Sequence, residues 1–197
     1  LEIIKKNNIN RDHNVLLMDM RNAGNSDKAI TDLGIKPSYD VFSGINFLKN
    51  CKQIDKVIVY SFSMGSMATL LMLNNQDLKL ELDNMKVKVE KLILDSPLTN
   101  VKETLKIKSE EHLPNFIHHY SFLNTFFYIL NIKWNGRLNQ IKNKNLLKYI
   151  DTENIIILQS NADQLTPTTV LKKEIEGINK KLNIYLFEDA PHTLIYN

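Results

Sequence analysis

The stretch Val57-Ile58-Val59-Tyr60-Ser61-Phe62-Ser63-Met64-Gly65, running on through Ser66-Met67-Ala68-Thr69-Leu70-Leu71-Met72-Leu73, decides the fold. Four consecutive apolar or aromatic residues, three of them β-branched, read as a strand with both faces buried. Ten breaker-free residues from Met64 to Leu73 then read as a helix. Between them lies a tight turn centred on Ser63. A Ser-x-Gly triplet arises roughly once by chance in a chain of this size, given Ser and Gly at about 7% each. Its position between a strand and a helix gives it weight, because a serine there is held above the sheet on a strained turn, with Met64 N–H free at the helix start to meet a developing oxyanion. Small residues two before and two after, Ser61 and Gly65, suit a close approach of strand and helix.

Working outward, the same pattern recurs. Val15 to Met18, Leu92 to Leu94, Ile155 to Leu158 and Ile184 to Phe187 are further short apolar runs. They alternate with helical patterns at Tyr39 to Asn50 (Val41, Ile45, Leu48) and at Thr168 to Ile178, which opens after Pro167. Alternating strands and helices predict an α/β doubly wound, mostly parallel sheet covered on both faces. The longest interval, about residues 98 to 150, is expected to be a helical insertion. Within it Phe116, Tyr120, Leu123, Phe127, Leu130 and Trp134 fall on one face of a helix over Asn115 to Trp134, and Phe122, Phe126 and Ile129 widen that stripe. The stripe suits first a helix buried between neighbours; the functional alternative is a lid whose second apolar edge borders a substrate pocket.

Composition removes several function classes. The 197 residues fit one domain, or one domain with an insertion. With 43% hydrophobic and 24% charged residues the chain is an ordinary globular one. The net charge is only +3, and the sole arginines are Arg11, Arg21 and Arg137. Nucleic-acid readout, which leans on arginine forks and basic stripes, is therefore not expected. Lys172-Lys173 and Lys180-Lys181 are read as solvated faces. No run reaches the length of a membrane span. Cys51 stands alone, which rules out a disulfide framework within the chain and favours a reducing, cytoplasmic setting.

Serine needs a base to act as a nucleophile, and the base needs a group that fixes its tautomer. Asp163 follows the strand ending at Leu158, and His192 follows the last strand in Glu188-Asp189-Ala190-Pro191-His192. All three lie past the carboxyl ends of strands, where ligands bind in such sheets. Asp95, after Leu94, is the alternative acid; Asp189 trails it because it is close to His192 in sequence. His13, His112, His118 and His119 lack a partner pattern and are assigned surface or packing roles. Adjacent His118 and His119 diverge on a helix, so no metal site is expected.

At these residues the sequence resembles the α/β-hydrolase superfamily over nearly its whole length. The order Ser63, Asp163, His192 matches it. Asp19-Met20-Arg21-Asn22-Ala23-Gly24-Asn25-Ser26 resembles the Asp-x-Arg-Gly-x-Gly-x-Ser loop after the family's fourth strand, with Asn22 in place of the first Gly. Leu33-Gly34 with Tyr39-Asp40-Val41 resembles the approach to its next helix, and Leu94-Asp95-Ser96-Pro97 the end of its sixth strand. Asp163 to Pro167 matches its acid loop, Asp-x-x-x-Pro. The chain looks most like bacterial cytosolic hydrolases related to serine aminopeptidases and acyl esterases. The resemblance implies a serine hydrolase acting without a cofactor on an ester, thioester or small amide with an apolar acyl group. Its triad would be Ser63, Asp163 and His192, with Met64 N–H in the oxyanion hole. A catalytically silent scaffold of the same fold is the competing reading. The resemblance also implies that the family's first three strands, its final helix and the second oxyanion donor lie outside these residues, so that the chain alone would be poorly soluble and weakly active.

Overall fold

The computed structural model describes residues 2–112, 120–133, 146–179 and 181–192. Four parallel strands form its sheet in sequential order: β1 (Lys56–Phe62), β2 (Lys88–Asp95), β3 (Asn154–Ser160) and β4 (Leu182–Phe187). Each parallel step requires a crossover, and helices supply it. α4 (Ser63–Asn74) and α5 (Gln76–Asn84) join β1 to β2, α6 (Val101–His112) and α7 (Tyr120–Lys133) lie between β2 and β3, and α8 (Thr168–Ile175) joins β3 to β4. Ahead of the sheet come two short helices, α1 (Glu2–Lys6) and α2 (Ile9–Asp12), and the longer α3 (Pro37–Lys52).

Local chemistry accounts for these boundaries. Pro37 opens α3, where a missing N–H costs nothing, and Gln53 closes it in the left-handed region while its N–H reaches the Lys49 carbonyl. Asn75 caps α5 by accepting from the N–H groups of Asp77 and Leu78. α4 is buried continuously from Ser66 to Met72, as befits a helix without a polar face. Its Met67, Leu70 and Leu71 pack with Leu92 and Leu94 of β2, Ile155 and Ile157 of β3, Leu171 of α8 and Phe127 of α7.

Two expectations are corrected here. Val15 to Met18 belongs to no strand among the described residues, and all four residues are 40–56% exposed. An apolar run becomes a strand only when a neighbour completes its ladder, and the sheet among the described residues ends at β1. Leu16 and Met18 instead lie beside Gly44 of α3. The two sheet faces also differ. Leu92, Leu94, Ile155 and Ile157 are fully buried on one face, whereas Ile93 and Ile156 on the other are half-buried and Ile58 is exposed. Among the described residues, cover is complete on one face only. Of the Asn115 to Trp134 helix, residues 120–133 form α7, in which Phe127 is buried and Leu130 packs against the core; Phe116, His118, His119 and Trp134 lie outside the described residues, as does Lys180.

Gly34 sets the distance between the approach to α3 and the helix that carries Ser63. Its φ is +98°, and a Cβ there would sit 3.1 Å from Met67 Cγ and 3.2 Å from the Ala68 nitrogen. Gly34→Ala is therefore expected to lose about 2 kcal/mol, read as a fall of about 4–8 °C in Tm for a domain of this size. An unchanged Tm in a thermal melt would contradict the close packing.

Candidate active site

Strand β1 delivers the chain to Ser63. Phe62 is extended, and Ser63, first residue of α4, is forced to φ +47°, the left-handed region that a non-glycine residue enters only under constraint. The constraint is visible around it. The Ser66 hydroxyl donates to the Ser61 carbonyl at 2.9 Å, pinning the first turn of α4 to the end of β1, and Leu98 N–H approaches the Ser63 carbonyl at 3.4 Å. No side chain caps α4. Met64 is its second residue, among the positions whose N–H groups have no partner within a helix. Gly65 is less demanding than its sequence position suggests: a Cβ there would meet Met20 Sδ at 3.9 Å and Ser61 Cβ at 4.0 Å, ordinary contacts. The Ser61 hydroxyl is buried with no hydrogen-bond partner among the described residues, so smallness rather than polarity suits that position.

Asp163 sits in the turn after β3 with its side chain wholly buried. Its Oδ1 accepts from Leu165 N–H at 2.8 Å and Thr166 N–H at 3.0 Å, and its Oδ2 from the Thr166 hydroxyl at 2.6 Å. Gln159, fully buried at the end of β3, directs its amide to the Thr166 carbonyl at 2.8 Å and to Asp163 Oδ2 at 3.4 Å. Burial is the largest single influence on this carboxyl and raises its proton affinity. The Thr166 hydroxyl, His192 and Thr166 N–H together outweigh it and hold Asp163 below the ordinary carboxylate range.

His192 joins the two. Its Nδ1 lies 2.7 Å from Asp163 Oδ2 and its Nε2 2.8 Å from Ser63 Oγ. An ionised Asp163 can only accept, so the proton of a neutral His192 belongs on Nδ1 and Nε2 is left to accept from the serine hydroxyl. The structure thus brings together three residues separated by 100 and 29 positions in sequence, with the serine hydroxyl within hydrogen-bond reach of a base.

None of the other sequence candidates hydrogen-bonds His192 among the described residues. The Asp95 carboxylate is buried and engaged by Tyr60 and Ser96, and Asp189 is exposed. Cys51 and His13 are exposed. Among the described residues no cluster of His, Cys, Asp or Glu is arranged to hold a metal ion, and no helix is long and apolar enough to cross a membrane. Gln159 and Thr166, which shape the acid loop, escape a motif reading because neither is a reacting group; a polar residue at the end of an otherwise apolar strand is the available signal. In the loop after Met18, Asn22 has φ +65°, a conformation asparagine tolerates better than most residues and the one for which glycine is otherwise suited. Arg21 of that loop forks onto Asp40 of α3, Nη2 at 2.6 Å and Nε at 2.8 Å, and also donates its own N–H.

No protein-family model and no curated protein matches the sequence. Solved structures do. The Pyrococcus furiosus esterase Pf2001 aligns with 98% of this chain at a TM-score of 0.64 and 20% identity. An α/β serine hydrolase homologue from Coxiella burnetii aligns with 88% at 0.51 and 14% identity. A Xanthomonas campestris α/β serine hydrolase described as lacking a lid aligns with 89% at 0.52 and 12% identity. The chain spans 67%, 58% and 56% of those three chains respectively. Four parallel strands in sequential order, a serine on the turn from β1 into α4, and this similarity to solved hydrolases together give the chain the α/β-hydrolase fold.

Proposed function

We propose that the chain is a serine hydrolase that cleaves a carboxylic ester, thioester or small amide through an acyl-enzyme. The observation that carries the reading is His192, whose two ring nitrogens lie within hydrogen-bond distance of Ser63 Oγ and Asp163 Oδ2. Ser63 Oγ attacks the carbonyl carbon while its proton passes to His192 Nε2, and Asp163 steadies the imidazolium that results. The oxyanion formed on the carbonyl oxygen is met by Met64 N–H. Collapse breaks the bond to the leaving group, which takes the proton from Nε2. Water then attacks the acyl carbon with His192 again as base, releasing the acid and returning the proton to Ser63. Every proton and electron pair is accounted for by these residues and water, so the reaction as written calls for no cofactor.

An apolar acyl group is the substrate class that suits α7, where Phe126 and Ile129 present apolar surface outside the face that carries Phe127. In this reading α7 borders the acyl pocket. Phe126→Asp is then expected to lower turnover of long-chain p-nitrophenyl esters about tenfold more than turnover of the acetate, the scale on which one apolar pocket contact discriminates. Equal losses on both esters would make the helix purely structural.

Labelling with a fluorophosphonate tests the reaction class itself. The reagent phosphonylates an activated serine with loss of fluoride and leaves an ordinary serine untouched, so labelling separates an enzyme from a silent scaffold of the same fold.

A further inference from the structure

Asp95, the last residue of β2, plays no part in the reaction above, yet it is fully buried beside the reacting groups. Strand register sets it opposite Phe62 of β1, one residue before Ser63, and opposite Leu158 of β3, five residues before Asp163. Its Oδ2 accepts from the Tyr60 hydroxyl of β1 at 3.0 Å and its Oδ1 from the Ser96 hydroxyl at 3.0 Å. The turn that follows is tightly constrained. Ser96 is held at φ +48° and is itself fully buried, and its N–H reaches the Leu158 carbonyl at 2.8 Å. Two residues on, Leu98 N–H meets the Ser63 carbonyl; on the other side the Ser96 carbonyl lies 3.3 Å from the Thr166 hydroxyl, which also binds Asp163. One turn therefore touches both the serine and the acid loop.

We propose that Asp95 is a positioning residue for this site: clamped between Tyr60 and Ser96, it fixes the 96–98 turn that braces the Ser63 backbone on one side and Thr166 on the other. The inference rests on the serine-hydrolase reading and deepens it. The chemistry of the two carboxyls is consistent with separate roles. Burial, only partly opposed by Tyr60, Ser96 and nearby His192, pushes Asp95 above the ordinary carboxylate range, and the neighbouring Asp163 adds to the push. Asp163 is pushed the other way. The two carboxyls are thereby pushed in opposite directions, and of the two only Asp163 hydrogen-bonds His192 among the described residues. A residue whose work is to hold a shape rather than a charge is replaceable by its amide.

Three variants, with turnover of a p-nitrophenyl ester, its pH profile and the ¹⁵N spectrum of His192, test this. Asp95→Asn is expected to keep kcat within about threefold with an unmoved pH profile, while Asp95→Ala lowers kcat about 10- to 100-fold at near-constant KM, the scale of a displacement at a reacting centre. Tyr60→Phe, which removes one clamp and little volume, is expected to lower kcat about three- to tenfold at constant KM. Wild-type kcat in a folded Asp95→Ala protein overturns the proposal. So does an Asp95→Asn variant that loses as much as the alanine or shifts the acidic limb, since a charge would then be at work. If Asp95→Ala does not fold, Tyr60→Phe decides, and wild-type kcat in that variant overturns the proposal. Should the wild type take up no fluorophosphonate, the hydrolase reading fails, and the ¹⁵N spectra still decide the bracing. A His192 protonated on Nδ1 in the wild type and Asp95→Asn but losing that single tautomer in the clamp variants supports it; identical spectra in all of them reject it.

Discussion

Ser63→Ala is expected to abolish ester turnover, with kcat falling about 10⁵- to 10⁶-fold, while the protein stays folded and binds substrate with little change. The size of the effect follows from what the hydroxyl does. No other nucleophile stands within hydrogen-bond distance of His192 Nε2 among the described residues, so its loss removes the covalent path altogether and leaves only what substrate binding and the Met64 N–H contribute. The variant would retain the strained backbone at φ +47° because the Ser66 and Leu98 contacts that impose it involve neighbouring groups and the backbone. Steady-state turnover of a p-nitrophenyl ester, with circular dichroism as the control for folding, checks it. Residual activity within a hundredfold of wild type would mean that the reaction runs elsewhere.

Asp163→Asn carries the next largest effect, about 10⁴-fold in kcat. The amide keeps the shape of the carboxylate and can accept from Leu165 N–H and Thr166 N–H. Toward Nδ1, however, an amide presenting its NH₂ group selects the tautomer protonated on Nε2, and the serine then has no acceptor. Stability should report the same residue with a defined sign. The folded-state proton affinity of Asp163 is lowered by Thr166 and His192, so its ionised form is favoured by folding. That contribution is complete at neutral pH and is lost as pH falls from about 4, the unfolded value, down through the lower folded-state value. The stability difference between wild type and Asp163→Asn should accordingly narrow on acidification. A difference that widens as pH falls from 5 to 3 in urea unfolding would contradict the assignment.

Much of this architecture is legible in the chain because it follows from short-range rules. The runs at Val57, Leu92, Ile155 and Ile184 form β1 to β4, with up to four residues added at an end. A parallel strand's carboxyl end is also where its loop must emerge, which is why Ser63, Asp163 and His192 can be read as neighbours from three strand ends. What escapes the sequence depends on contacts the local pattern does not contain. Val15 to Met18 is as apolar as β1, but a strand exists only with a hydrogen-bonded neighbour, and that segment has none among the described residues. Gly65 suits a close approach of strand and helix from its place in the turn, yet the space beside it admits a methyl group. Helix α5 gives no clear signal because Leu78 and Leu82, its only buried side chains, are too sparse to announce a period on their own. Gln159 and Thr166 are invisible for a different reason: their work on Asp163 is geometric, and only the folded turn discloses it.

Mass-spectrometric mapping of the fluorophosphonate adduct tests the central claim most directly. The wild-type chain is treated with the reagent at neutral pH, digested, and the modified residue located. The account predicts one phosphonyl group, carried by Ser63, and its disappearance in a His192→Ala variant that remains folded. An adduct on any other residue, or a Ser63 that stays unmodified while a known serine hydrolase in the same tube is labelled to completion, would contradict it.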